Sequence, residues 1–163
     1  MIDRTDRRIL TMLQEDARIS NAEIGRRVNL ASSAIFQRIK KLESLGIIRG
    51  YTTRLDPKAL GFGLLAFVQV RTASGARAPE VTRELAAIPE VFEIHRVVGE
   101  DCFYLKVRVS DPEALEELLD HHIQPLDSVA STRTTIVLST GRESQSLPLM
   151  SGEEKGEADS DAA

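Results

Sequence analysis

The chain has 163 residues, enough for one ordinary domain or two small ones, and its 42% hydrophobic content suits a globular protein with a core. No apolar run approaches the roughly 18 residues a bilayer crossing needs, and the opening MIDRTDRRIL lacks a leader-like apolar stretch, so a cytoplasmic protein is expected. A single cysteine, Cys102, excludes an intrachain disulfide; three histidines (His95, His121, His122), two of them adjacent, make a poor metal cluster, so no metal or cofactor is expected.

The net charge of −4 is unevenly spread. Residues 1–55 hold 11 Lys/Arg against 6 Asp/Glu, a balance of +5, whereas residues 56–163 hold 10 against 19, a balance of −9. Such asymmetry predicts two modules, the first suited to a polyanion.

Three helical patterns open the chain. Asp3 or Thr5 can cap the first, whose Ile9, Leu10, Leu13 and Ala17 share a face and which should end near Asp16. The second starts at S-N-A-E, Ser20 to Glu23, a reciprocal capping box, with Ile24 and Val28 inward. The third, after a short turn at 29–31, carries Ile35, Ile39 and Leu42 at i, i+4 and i+7 and stops near Gly46. Ser33, Ala34, Gln37, Arg38 and Lys41 are left on its outer side.

Two short helices joined by a tight turn, the second basic outside, form the pattern of a helix-turn-helix. A helix about 10–12 Å across fits the major groove of DNA. Ser32, Ser33 and Ala34 would allow close approach, Gln37 would meet a base edge, and Arg38 guanine or phosphate. Lys40, Lys41 and Arg49 would serve phosphates. The bland alternative is a solvated amphipathic helix.

Onward from Ile47, the stretch IIRGYTTRL predicts a short strand, and D-P-K-A-L-G a one-turn helix capped by Asp56 with Gly61 at its exit. From residue 63 the chain repeats itself: strand LLAFVQVRT, helix opening A-P-E, strand VFEIHRVV; then strand CFYLKVRVS, helix opening D-P-E, strand TTIVLST. This β-α-β-β-α-β order is ferredoxin-like, one antiparallel sheet with both helices on one face. Phe103, Leu105, Val107 and Val109 should face helices through Leu85, Ile88, Leu115 and Leu118, leaving Cys102, Tyr104, Lys106 and Arg108 opposite. Leu65 and Phe67 put apolar surface on that second face, which predicts a second copy of the chain as its cover.

The hairpin V-V-G-E-D-C-F-Y-L holds a glycine and two carboxylates in its turn, which solvated turn chemistry alone would explain. The end, SGEEKGEADSDAA, lacks large apolar residues and reads as disordered. The expected organisation is therefore α+β: a helix-turn-helix over 1–50, a hinge over 51–62, a ferredoxin-like dimerisation domain over 63–141, and a disordered acidic tail over 142–163; the family resemblance set out next adds a wing to the first of these and ligand binding to the third.

The stretches DRTDRRILTMLQEDARIS, AEIGRRVNL, RIKKLESLGIIRGY and LDPKALG together resemble the Lrp/AsnC, or feast/famine, family of transcription regulators, over about Ile2 to Thr140. One departure is Ala31, where the family usually has a serine that caps the recognition helix; capping then passes to Ser32 or is lost. The resemblance implies a ferredoxin-like effector domain, face-to-face sheet dimers assembling to tetramers or octamers on double-stranded DNA, nucleoid association, and a free amino acid as effector. It further implies that Gly99 lets the ligand approach backbone, that Glu100 or Asp101 pairs with its ammonium, and that Thr132 and Thr134 take its carboxylate. Two other functions compete: an architectural DNA-wrapping protein without effector, and an enzyme like the siroheme decarboxylases, which share the two-module layout and could employ His95 or an arginine near it. No catalytic residues are assigned.

Overall fold

The computed structural model describes residues 2–99 and 102–149. It divides into two compact units: one runs to Thr53 and takes the chain back from Glu143, and the other is Arg54–Arg142.

In the first unit, α1 (Arg4–Glu15), α2 (Asn21–Val28) and α3 (Ser32–Ser44) pack around Ile9, Met12, Ile24, Ile35 and Ile39. Asp3, not Thr5, caps α1, in a capping box completed by Asp6. Helix α1 closes at Asp16, so Ala17 lies beyond it and exposed rather than on its apolar face. Ser20 caps α2 by accepting from the Glu23 amide, but only that half of the expected box forms. The Glu23 carboxylate turns outward to Arg26 and Arg27, where two cations compete for it against one backbone N–H. Ala31 is the N-cap residue of α3 and supplies no side-chain cap, so the cap is lost and does not pass to Ser32.

Leu147 and Leu149 lie against α1. Gln14 receives the Leu147 amide on Oε1 at 2.6 Å and donates through Nε2 to the Leu147 carbonyl at 3.2 Å; Arg7 Nη1 donates to the Leu149 carbonyl at 3.3 Å. This corrects the expectation of disorder from residue 142: the backbone of Leu147 and Leu149 is hydrogen-bonded to side chains of α1, while the Leu147 side chain stays exposed. The remainder of the expected tail lies outside the described residues.

No strand forms between α3 and residue 63 among the described residues, contrary to the expectation at Ile47–Leu55, since an isolated extended segment has no ladder partner to satisfy its amides. The D-P-K-A-L-G stretch is a pair of overlapping turns rather than a helix. Asp56 accepts from the Lys58 amide at 2.9 Å, and Gly61, at φ 87°, makes the exit.

The second unit holds β1 (Leu64–Thr72), α4 (Ala78–Ala86), β2 (Val91–Arg96), β3 (Phe103–Val109), α5 (Pro112–Leu118), a π-helical turn at Leu119–Ile123, and β4 (Val129–Ile136). The sheet order is β2-β3-β1-β4, all neighbours antiparallel, as a ferredoxin-like unit requires. Phe103, Leu105, Val107 and Val109 are buried with Leu85, Ile88, Leu115 and Leu118, as alternation predicts. Two expectations shift. The last strand is displaced toward the N-terminus: its V-A-S-T-R-T-T-I is an edge strand with little apolar signal, and Val137 adds only a single bond to the Leu65 carbonyl. Cys102 precedes β3 and packs half-buried against the core, not on the outer row.

Candidate nucleic-acid interface

The geometry of α2 and α3 begins with two residues of the turn. Asn29 closes α2 in the left-handed region at φ 58°, a conformation asparagine tolerates better than most residues. Gly25 accepts from the Leu30 amide at 2.8 Å, and a Cβ on it would collide with the Leu30 carbonyl oxygen. The close return of the turn onto α2 therefore requires glycine. Its one sequence signal is a glycine inside a helical pattern.

With Ile35, Ile39 and Leu42 buried, α3 presents Ser33, Phe36, Gln37, Lys40, Lys41 and Ser44 outward. Ser32 and Ser33 are exposed at its start and Ala34 is half-buried, so the first turn offers little steric bulk. Phe36 is 46% exposed in this polar stripe and was missed by sequence reasoning, which had no reason to place an aromatic on the wet side. Lys40 stands 5.9 Å from the Phe36 ring centroid and donates to Glu43 at 2.9 Å. Lys40 and Tyr51, which donates to Glu43 at 3.2 Å, hold the Glu43 carboxyl below its ordinary range, the lysine contributing most. Lys41 and Arg49 are exposed and have no ion-pair partner among the described residues.

Arg38 does not share that stripe. It sits on the flank of α3, about 60° from the buried row, and its Nη1 donates to Asp3 at 2.6 Å and to Asp6 at 2.7 Å. Asp6 is buried and Arg38 about one-third exposed. The Asp6 backbone amide, then Arg38, draw the Asp3 pKa down, and the two carboxylates, Asp3 first, raise that of Arg38. This guanidinium, expected at a base or phosphate, joins the start of α1 to the middle of α3.

In the second unit, the described members of the expected ligand set, Gly99, Thr132 and Thr134, fall at opposite margins of the sheet. Gly99, at φ 143°, lies in the loop between β2 and β3, closed by the Val97 amide on the Cys102 carbonyl at 2.9 Å; Glu100 and Asp101 lie outside the described residues. Thr132 and Thr134 pair with Val70 and Val68 on β4, on the helix-covered side of the other edge. Three inter-strand spacings, about 14 Å, separate β2 from β4, so one chain does not bring these groups together. On the uncovered face, Phe67 and Tyr104 remain 39% and 38% exposed. Lys106 donates to Glu93 at 2.9 Å, and His95 lies 3.3 Å from the same carboxylate. Lys106 first and His95 second keep the Glu93 pKa low.

A winged helix-turn-helix DNA-binding model matches residues 2–49, and the Lrp/AsnC ligand binding domain matches residues 65–147. The chain belongs to the Lrp/AsnC family. It is a DNA-binding transcription regulator of that family with the α+β, two-module architecture of its solved members. It is 36% identical to the HTH-type transcriptional regulator FL11 of Pyrococcus horikoshii, covering 91% of this chain and 97% of that protein. Identity to the leucine-responsive regulatory protein of Escherichia coli K12 is 38%, covering 90% of both chains. Among structures, a Neisseria meningitidis transcriptional regulator in complex with L-methionine superposes with a TM-score of 0.87 at 31% identity, covering 92% of this chain and 98% of that one. E. coli AsnC gives 0.83 at 31% identity, covering 88% and 96%. These Lrp/AsnC relatives are named as regulators, not enzymes. Among the described residues, no helix is long and apolar enough to cross a membrane.

Proposed function

We propose that this Lrp/AsnC protein reads DNA with the outward stripe of α3 and changes its assembly when a free amino acid binds. The observation that carries the reading is the stripe itself: Ser33, Gln37 and Lys41 recur at helical spacing opposite the buried Ile35–Ile39–Leu42 row. Gln37 meets a base edge, Ser32, Ser33 and Ala34 permit approach, Phe36 contacts a thymine methyl, and Lys41 and Arg49 neutralise phosphates. Lys40 contributes less, since Phe36 and Glu43 already engage it. An uncapped α3 start leaves its first amides available to a phosphate oxygen. Arg38 positions the helix and does not read.

Two chains join through the uncovered sheet face, where Phe67 and Tyr104 supply apolar area, and dimers build tetramers or octamers that present paired helices to successive half-sites. The effector is held by Gly99, Glu100 and Asp101 of one subunit and by Thr132 and Thr134 of another; the separation of Gly99 from Thr132 and Thr134 within one chain supports a site shared between subunits. The protein works in the cytoplasm on the nucleoid.

The test is titration of its own promoter duplex at two salt concentrations with each amino acid added in turn, alongside sedimentation. The expected result is specific binding that weakens with salt, and one or a few amino acids that change both affinity and assembly. Binding indifferent to every amino acid, with long footprints, would favour DNA wrapping, and haem-like absorbance of the purified protein would favour an enzyme.

A further inference from the structure

We infer that a cleft in the second unit binds a small aliphatic diamine. The cleft opens at the end of β3 and measures about 410 Å³, a size at which ligand pockets occur. Its floor is apolar: Val109 and Leu118 are buried and Ala114 is half-buried. Leu60 and Phe62 also line it, 56% and 41% exposed, and so offer apolar surface for an alkyl chain to cover. Local bonds hold the walls. The Phe62 amide donates to the Pro57 carbonyl at 2.8 Å and the Gly61 amide to the Lys58 carbonyl at 3.1 Å, which fixes the turn that carries Leu60 and Phe62. A Cβ on Gly63 would meet the Ser110 carbonyl oxygen at 3.4 Å, so this segment runs close against the end of β3. The Arg108 amide donates to the Glu90 carbonyl at 3.1 Å, and α5 presents Ala114, Glu117 and Leu118 at i, i+3 and i+4.

Charge decides the class of ligand. Glu90 and Glu117 put two carboxylates on the lining, and neither has a hydrogen-bond or ion-pair partner among the described residues. Ser110 and His122 add a hydroxyl and an imidazole, and among the described residues the lining holds no lysine or arginine. An ammonium group is attracted by both carboxylates, whereas an α-amino acid would bring its own carboxylate against them with no cation to receive it. An aliphatic diamine meets both features at once: its methylenes cover Val109, Leu118 and Leu60, and its two ammonium groups face Glu90 and Glu117. The cleft is separate from the amino-acid site proposed above. Val109 ends β3, and the loop that holds Gly99 precedes its start at Phe103, about 20 Å away along the strand.

The experiment titrates the full chain with 1,5-diaminopentane and follows the methyl resonances of Leu60, Val109 and Leu118, so that binding elsewhere is not counted. Three further compounds isolate the features: lysine, which is the same diamine with a carboxylate added; 1-aminopentane, with one ammonium; and 1,5-pentanediol, with none. The diamine should bind saturably, with a Kd roughly in the millimolar range for so small a ligand. It should bind roughly fivefold tighter than lysine or 1-aminopentane, and more weakly as salt rises; the diol should not bind. Glu90→Gln and Glu117→Gln should each weaken the diamine by roughly threefold to fivefold, with circular dichroism unchanged. Glu117 is exposed on α5, so its variant keeps the test valid if Glu90→Gln disturbs the fold. Methyls unmoved by the diamine, an equal response to lysine or to the diol, or undiminished binding by the Glu117→Gln chain would overturn the inference. Methyl shifts that follow protein concentration without any amine would assign the cleft to a second copy of the chain and overturn it as well. Neither DNA nor an amino-acid effector enters the measurement, so the diamine site stands or falls apart from the function proposed above.

Discussion

Asp6 accepts a 2.7 Å hydrogen bond from Arg38, 32 residues further along the chain, and so a buried carboxylate in the first turn of α1 is tied to the middle of α3. The same guanidinium nitrogen reaches Asp3 at 2.6 Å. A cation that helical spacing alone would assign to the groove is thereby committed to the scaffold.

Arg38→Ala should therefore act first on stability. Removing the guanidinium leaves Asp6 buried without its ionic partner, at a cost of about 2–3 kcal/mol to the first unit. Urea unfolding followed by circular dichroism checks it, and Arg38→Lys should recover part of the loss because one ammonium can still reach a carboxylate. A stable Arg38→Ala protein with selectively weakened promoter binding would return Arg38 to the groove.

The same contact sets an acid limit. Because the folded pKa of Asp3 lies below its unfolded value, near 3.9, its contribution is complete above that value and is lost as pH falls through the depressed folded one. Unfolding midpoints of the first unit should hold steady from pH 8 to 5 and drop below about pH 4. Asp3→Asn should flatten that drop and lower the plateau; an unchanged acid profile would mean that Asp3 is not a contributor.

Gly25→Ala poses two opposed effects. Alanine is favoured over glycine by about 1 kcal/mol inside a helix, but the new methyl would strike the Leu30 carbonyl, and overpacking costs about 1–3 kcal/mol. The clash involves backbone that cannot rotate away, so net destabilisation is expected, together with weaker DNA binding as the turn opens. Chemical denaturation decides the sign, and a more stable variant would show that the turn can yield.

Lys41 and Lys40 are neighbours in sequence with different surroundings. Lys41→Ala should reduce the slope of log affinity against log salt by about one unit and weaken all duplexes alike. Lys40→Ala should change the slope less, because Glu43 and Phe36 already hold that ammonium. Equal slopes for both variants would contradict the assignment.

What was legible in the sequence follows from how local each signal is. Strands β1 and β3 alternate against covered helices, and Ile35, Ile39 and Leu42 repeat at helical spacing, so their burial could be read residue by residue. Strand β4 was misplaced because an edge strand rich in threonine and serine carries no comparable contrast. The Arg38 contact and the seat of Leu147 on Gln14 join residues 32 and 133 positions apart, and no periodicity encodes such pairs. Gly99, Thr132 and Thr134 could be picked out by resemblance, but strand order alone separates them to opposite margins of the sheet.

The most direct measurement is the ratio of promoter to nonspecific affinity for Gln37→Ala at fixed salt. Gln37 is exposed at the centre of the outward stripe. The ratio should fall by roughly 1–3 kcal/mol at the base pair it contacts, with stability and assembly unchanged. A ratio equal to that of the unaltered protein would contradict the claim that this face of α3 reads DNA.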